Sequence, residues 1–94
     1  MRLSRLYDEP ALRAALEEAE RSDRERINRL TRQQRAVLAL VVDGMLSKQA
    51  AAALGLSQRT IENYRLEIMS RTECRTVPQL VRLYMRTSGH MEIE

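Results

Sequence analysis

The 94-residue chain has no Trp and no Phe, and only three aromatic residues: Tyr7, Tyr64 and Tyr84. It has one Cys (Cys74), one His (His90), two Pro and three Gly. A lone Cys excludes an internal disulfide, and a single Cys with a single His leaves little to hold a metal; no cofactor is expected. Without large aromatics, any core must come from Leu, Val, Ile, Ala and Met. That palette, with so little Gly and Pro, reads as all-α. No apolar run reaches membrane-spanning length, and the opening MRLSRLYDEP has no apolar signal core, so a cytoplasmic, reducing setting is expected. Also missing are a Gly-rich phosphate loop, a carboxylate pair in a plausible cleft, and a Ser or Cys paired with His. These absences argue against an enzyme.

What is present is 44% hydrophobic residues, enough for one small domain with an arm. So small a core is marginal alone, which favours dimerisation or docking on a partner. Net charge is +3 and the isoelectric point about 9.6. The charge is uneven. Residues 1–30 carry seven Arg against seven Asp and Glu. Residues 31–90 carry nine basic residues against four acidic ones, and Glu92 and Glu94 close an acidic tail. A basic unit behind a balanced arm suits an anionic partner, and nucleic acid is the commonest.

The arm spans residues 1–29. Asp8 can cap a helix holding Pro10 in its first turn, with Leu12, Leu16 and Ala19 at helical spacing. Residues 20–26 (ERSDRER) carry no apolar side chain and read either as an exposed, charge-laced helix or as a hinge. Apolar contact resumes at Ile27 and Leu30. Thr31 with Gln34 has capping-box form, ahead of a helix over 32–43 that buries Val37, Leu38, Val41 and Val42 and stops at Gly44. Ser47 is the expected cap of a helix over 48–54, four alanines long at its centre, which Gly55 ends. After the turn Gly55-Leu56-Ser57, Ser57 caps a helix over 58–71 with Ile61 and Ile68 inward, Tyr64 or Arg65 completing the buried stripe, and Arg59, Glu62, Asn63 and Glu67 outward. Two short helices joined by a Gly-containing turn make a helix-turn-helix. Thr76 caps a last helix, Gly89 is its expected end, and 89–94 is expected to be a disordered tail.

Residues 30–85 resemble the DNA-binding domain of the LuxR/FixJ regulators. The resemblance runs through Leu30-Thr31, Arg35-x-Val37-Leu38, Gly44, Ser47-Lys48, Ala51, Leu54, Leu56-Ser57-x-Arg59-Thr60-Ile61-Glu62, Arg65, Ile68-Met69-x-Arg71 and Pro78-x-Leu80-Val81. It is nearest the FixJ branch through Arg59-Thr60-Ile61-Glu62 and the run from Thr76 to Arg82. It implies a four-helix LuxR-type domain, here residues 30–88, preceded by the amphipathic arm. It also implies a third helix in the major groove and a fourth at a dimer interface. Lys48, Arg59 and Thr60 fall at phosphate-contacting positions, and Glu62, Asn63 and Leu66 near base edges. Arg65 falls on a base or a phosphate. Where the family usually has an acidic residue stands Gln34, and where it usually has a basic one stands Gln33. A large apolar residue is usual at Thr72, and His is frequent at Tyr64. Family members often carry an upstream receiver or sensor domain. Thirty residues are too few for a receiver, so the chain is either an excised domain or a regulator whose arm replaces the sensor.

The chemistry fits these placements. Ser47 and Ser57 at helix starts, with free N–H groups beside them, favour phosphate. Lys48 and Arg59 are candidate phosphate clamps. Asn63 has the donor and acceptor to read adenine, and Arg65 can reach guanine. Glu62 either accepts from a cytosine amine or pairs along its helix with Arg59 or Arg65. Leu66 either touches a thymine methyl or flanks the core. Val77, Leu80, Val81 and Tyr84 exceed what one helix buries in so small a domain, which a homodimer would cover. Leu3, Leu6, Leu12 and Leu16 of the arm compete for that patch. The expected function is a sequence-specific transcriptional regulator bound to double-stranded DNA as a dimer at the bacterial nucleoid. The contrasting one is an interaction module acting on RNA polymerase or on another regulator, such as a sensor or receiver protein.

Overall fold

The computed structural model describes residues 9–93. Five helices follow one another, and no strand occurs among the described residues: α1 (Pro10–Asn28), α2 (Arg32–Val42), α3 (Ser47–Leu54), α4 (Gln58–Thr72) and α5 (Val77–Ile93). The all-α expectation holds, and α2, α3 and α4 fall within a residue of their expected ends.

The starts are set by local hydrogen bonds. Thr31 Oγ1 accepts from the Gln34 N–H at 3.1 Å while Gln34 Oε1 accepts from the Thr31 N–H at 3.0 Å, closing the capping box ahead of α2. Ser57 Oγ accepts from the Thr60 N–H at 3.0 Å ahead of α4. Thr76 Oγ1 accepts from the Gln79 N–H at 3.2 Å ahead of α5. The start of α3 corrects an expectation. Leu46, and not Ser47, occupies its N-cap; Ser47 is the first helical residue. Leu46 has no side-chain acceptor to offer, so only the reverse half of a box forms: the Leu46 N–H donates to Gln49 Oε1 at 2.9 Å.

Two glycines stop helices as expected. Gly44 has φ +89° and Gly55 φ +69°. Behind them the Met45 N–H returns to Leu40 O and the Leu56 N–H to Ala51 O, both at 3.0 Å, while Met45 and Leu56 are partly buried. Gly89 does not stop α5, which runs on to Ile93, so residues 89–93 are helical and not the expected disordered tail. Polar His90 follows Gly89, whereas the other two glycines are followed by apolar anchors.

Leu30, Val37, Leu38, Ala50, Ala51, Ile61, Ile68, Leu80 and Leu83 form the core, drawn from every element but α1 itself. The small alanines of α3 let α4 lie close across it. α1 packs on α4 and α5, and Asp23 is its one buried residue. It is one continuous helix through residues 20–26, so the hinge alternative is discarded. Leu12 is half-buried and Leu16 is 44% exposed. Asp8, Leu3 and Leu6 lie outside the described residues.

Candidate nucleic-acid interface

α3 and α4 pack together across the turn Gly55–Ser57. Lys48 stands on the first turn of α3 and Arg59 on the first turn of α4, both exposed. Ser57 donates to Thr60 Oγ1 at 2.8 Å, so the two hydroxyls lie together at the entrance of α4, with Thr60 half-buried. One turn on, Asn63 is exposed. Among the described residues, Lys48, Arg59 and Asn63 make no side-chain hydrogen bond or ion pair. Leu66 is 71% exposed on the same helix, which settles it off the core edge.

Glu62 and Arg65 line a groove with Ser47, Leu46 and Val77, between the starts of α3 and α5. Arg65 is half-buried there. Glu62 pairs with neither Arg59 nor Arg65; Gln58 Nε2 donates to its Oε2 at 3.3 Å. Its carboxylate thus keeps free acceptor capacity.

The opposite side of α4 is engaged throughout. Ile61, Ile68 and Thr72 are buried. Tyr64 packs on the core and its hydroxyl donates to Gln33 Oε1 at 2.8 Å. Gln34 is buried and donates through Nε2 to Glu67 Oε1 at 2.9 Å, so Glu67, though exposed as expected, is tied to α2. Thr72 fits without the usual large apolar group because its hydroxyl donates back to Ile68 O at 2.7 Å.

The C-terminus of α4 holds what sequence reasoning missed. A helix leaves its last four carbonyls without intrahelical donors. Here the Cys74 N–H reaches Met69 O at 3.1 Å and the Glu73 N–H reaches Ser70 O at 3.2 Å. Glu73 takes φ 61° to do so, the one non-glycine with positive φ among the described residues. The remaining two are served by α1 and the residue that follows it: Arg29 Nη1 donates to Arg71 O and Arg26 Nη1 to Thr72 O, each at 3.0 Å. Arg29 also pairs with Glu73 at 3.0 Å. Guanidinium groups at a helix C-terminus also answer its negative end. The arm therefore caps the candidate recognition helix.

Arg26 is held in turn by Asp23, which accepts from its Nη2 at 3.2 Å and from Arg86 of α5 through Nε at 2.8 Å and Nη2 at 3.2 Å. The Arg86 hydrogen bond holds the Asp23 carboxyl below its usual range against the opposing effect of burial, with Arg26 adding to the lowering. Arg86 is raised in return, by its hydrogen bond to Asp23. A sequence signal existed: Asp23 falls in register with Ile27 and Leu30 at i+4 and i+7, the face turned to the protein.

On α5, Leu80 is only 3% exposed and belongs to the core, so it is withdrawn from the expected dimer surface. Val77 and Met85 are exposed, and Val81 and Tyr84 are half-buried. α1 meets α5 on the Arg86 side, while Val77, Val81 and Met85 lie around another side of that helix. Helix α1, the described part of the arm, therefore does not cover the candidate dimer face.

The model of the bacterial regulatory proteins, luxR family, matches residues 28–84. The chain belongs to the LuxR family. The transcriptional regulatory protein FixJ of Azorhizobium caulinodans is 40% identical over 58 residues, which are 62% of this chain and 28% of that protein. FixJ of Rhizobium meliloti is 37% identical over 60 residues, 64% of this chain and 29% of that protein. This LuxR-family chain thus matches less than a third of the length of these two relatives. Full-length FixJ from B. japonicum, a crystal structure, superposes with a TM-score of 0.73 at 31% identity, covering 88% of this chain and 40% of that one. That share is more than residues 28–84 and all that follow can supply, so the likeness extends into the arm. The LuxR-type helix-turn-helix is a domain of transcription regulation, and no helix among the described residues is long and apolar enough to cross a membrane.

Proposed function

We propose that this chain is a sequence-specific transcriptional regulator that sets α4 into the major groove of duplex DNA. The observation that carries the reading is the set of unpaired side chains on one side of α3 and α4: Lys48, Arg59 and Asn63, with exposed Leu66 beside them. Leaving cations without partners has a use where a polyanion supplies them. Lys48, Arg59, Thr60 and the α3 and α4 starts at Ser47 and Ser57 take phosphates. Asn63, Arg65, Glu62 and Leu66 face base edges. Two copies meet through Val77, Val81 and Tyr84, with Met85 joining them in place of Leu80, and this pairing sets the spacing of two half-sites. A protein with this activity works at the nucleoid, in the cytoplasm.

The test is duplex binding by fluorescence anisotropy across a salt series. With four to six phosphates neutralised per dimer, log affinity falls against log salt with a slope of about −4 to −5. Lys48→Ala or Arg59→Ala, present in both copies, each removes roughly two units of slope and weakens all sequences alike. Asn63→Ala relaxes one base position and costs about 1–3 kcal/mol of discrimination. A second reading, an interaction module for RNA polymerase or another regulator, draws on the exposed, mixed-charge face of α1. A salt-independent response, or no duplex binding in dilute buffer, would favour it.

A further inference from the structure

Where α1 meets α5, three guanidinium groups gather around a single carboxylate that bonds only two of them. Arg26 and Arg86 both spend hydrogen bonds on Asp23. Arg82, one turn before Arg86, is exposed and makes no ion pair or hydrogen bond among the described residues. The nearby carboxylate of Glu73 is taken by Arg29. Arg26, Arg82 and Arg86 line one open crevice of about 410 Å³, with Gln79, Glu73 and Cys74 completing its wall. Gln79 uses its Oε1 to accept from the Arg75 N–H at 2.7 Å, which leaves its amide N–H groups as donors. The Nε–H of Arg26 is buried and has no acceptor. A buried donor without a partner is costly, so the site is electrostatically incomplete as the chain alone builds it.

From this we infer a binding site for a small oxyanion, a phosphate or phosphate-monoester group, in the crevice between α1 and α5. Arg82 supplies charge and a free donor fork from α5, Arg86 and Arg26 add charge and the N–H groups that Asp23 and Thr72 O leave over, and Gln79 adds a neutral donor. Asp23 holds Arg86 and Arg26 in place, as a carboxylate behind a cationic pair. Glu73 sets a limit: it repels a highly charged ligand on its side, which favours a compact group over a polyphosphate. The site is separate from the groove-facing surface. It lies at the C-terminal end of α4, about 20 Å along that helix from Arg59. An anion here bridges the arm to α5 and reinforces Arg26, the same side chain that caps α4. The crevice is therefore placed to pass a chemical signal to the candidate recognition helix.

The full chain is melted in increasing sodium phosphate and, at matched ionic strength, in sodium chloride. The expected result is a saturable rise in Tm over the chloride series, about 6–11 °C when phosphate exceeds its Kd roughly tenfold. Phosphate also stabilises folded proteins generally by exclusion, and that part is not saturable and is shared by every variant. Arg82→Ala, which removes an exposed side chain without a hydrogen bond or ion pair, should keep the melting temperature in chloride and lose the saturable part. Lys48→Ala with Arg59→Ala should keep it, which separates this crevice from phosphate sites on the groove face. The proposal is overturned by no saturable difference in the unaltered chain, by its survival in Arg82→Ala, or by its loss only in the Lys48/Arg59 variant.

Discussion

The two ends of α4 follow opposite rules. At its N-terminal end and along its outward side, Arg59 and Asn63 are left without partners and Leu66 stands in solvent. At its C-terminal end every free carbonyl is answered, two of them by arginines from around the end of α1. One end is unfinished and the other over-determined. The difference is what favours the proposed binding side. A surface that gains nothing for its own fold suits a partner, and the junction with α1 is placed to hold the helix rigid under it.

The largest expected effect removes the support common to both ends. Ile61 is fully buried beneath the first turns of α4, and Ile61→Ala should cost about 2–5 kcal/mol in urea unfolding. Next, Asp23→Ala should cost about 1–2 kcal/mol, discounted because Arg86 is half exposed. It should also speed hydrogen exchange at the end of α1 and around Glu73, while duplex affinity at saturating fold stays within about threefold. If affinity instead falls as far as it does in Arg59→Ala, the two ends are not separable and the contrast breaks. The pH dependence sharpens the same point. Because Asp23 has a lowered pKa when folded, its contribution is complete above the unfolded value near 3.8 and disappears as pH falls through the folded one. Asp23→Asn should therefore flatten the acid limb of the stability profile below about pH 4 and change little at neutral pH beyond a constant offset. The smallest effect is a gain. Leu46 sits at an N-cap, 69% exposed, with no acceptor to give. Leu46→Ser should complete the box with Gln49 and raise stability by about 0.5–1 kcal/mol in thermal melts.

Much of the unfinished end was legible in the sequence. Caps such as Thr31 with Gln34, and Ser57, act over three residues, and so do the glycine stops at 44 and 55. The outward positions of α4 follow from helical period once Ile61 and Ile68 are placed inside. The finished end was hidden because its bonds join residues 42 to 63 apart in sequence. No local rule couples Arg26 to the carbonyl of Thr72. Ser47 illustrates a subtler failure: Ser outranks Leu as a cap, yet the turn after Gly44 put Leu46 at the boundary. Leu80 shows the limit of counting apolar residues. A surplus on α5 was visible, but which member the core would claim depended on how α2 and α4 approach it.

The antiparallel course of α1 and α5 has a practical consequence. Asp23 meets Arg86 while Arg26 shares a wall with Arg82, so the beginning of the first helix and the close of the last one travel together, away from Val77 and the α3–α4 wedge. A fluorophore, an affinity tag or a fused protein attached at that shared pole stands clear of Arg59, so the chain can be labelled or immobilised there with the candidate recognition helix unobstructed.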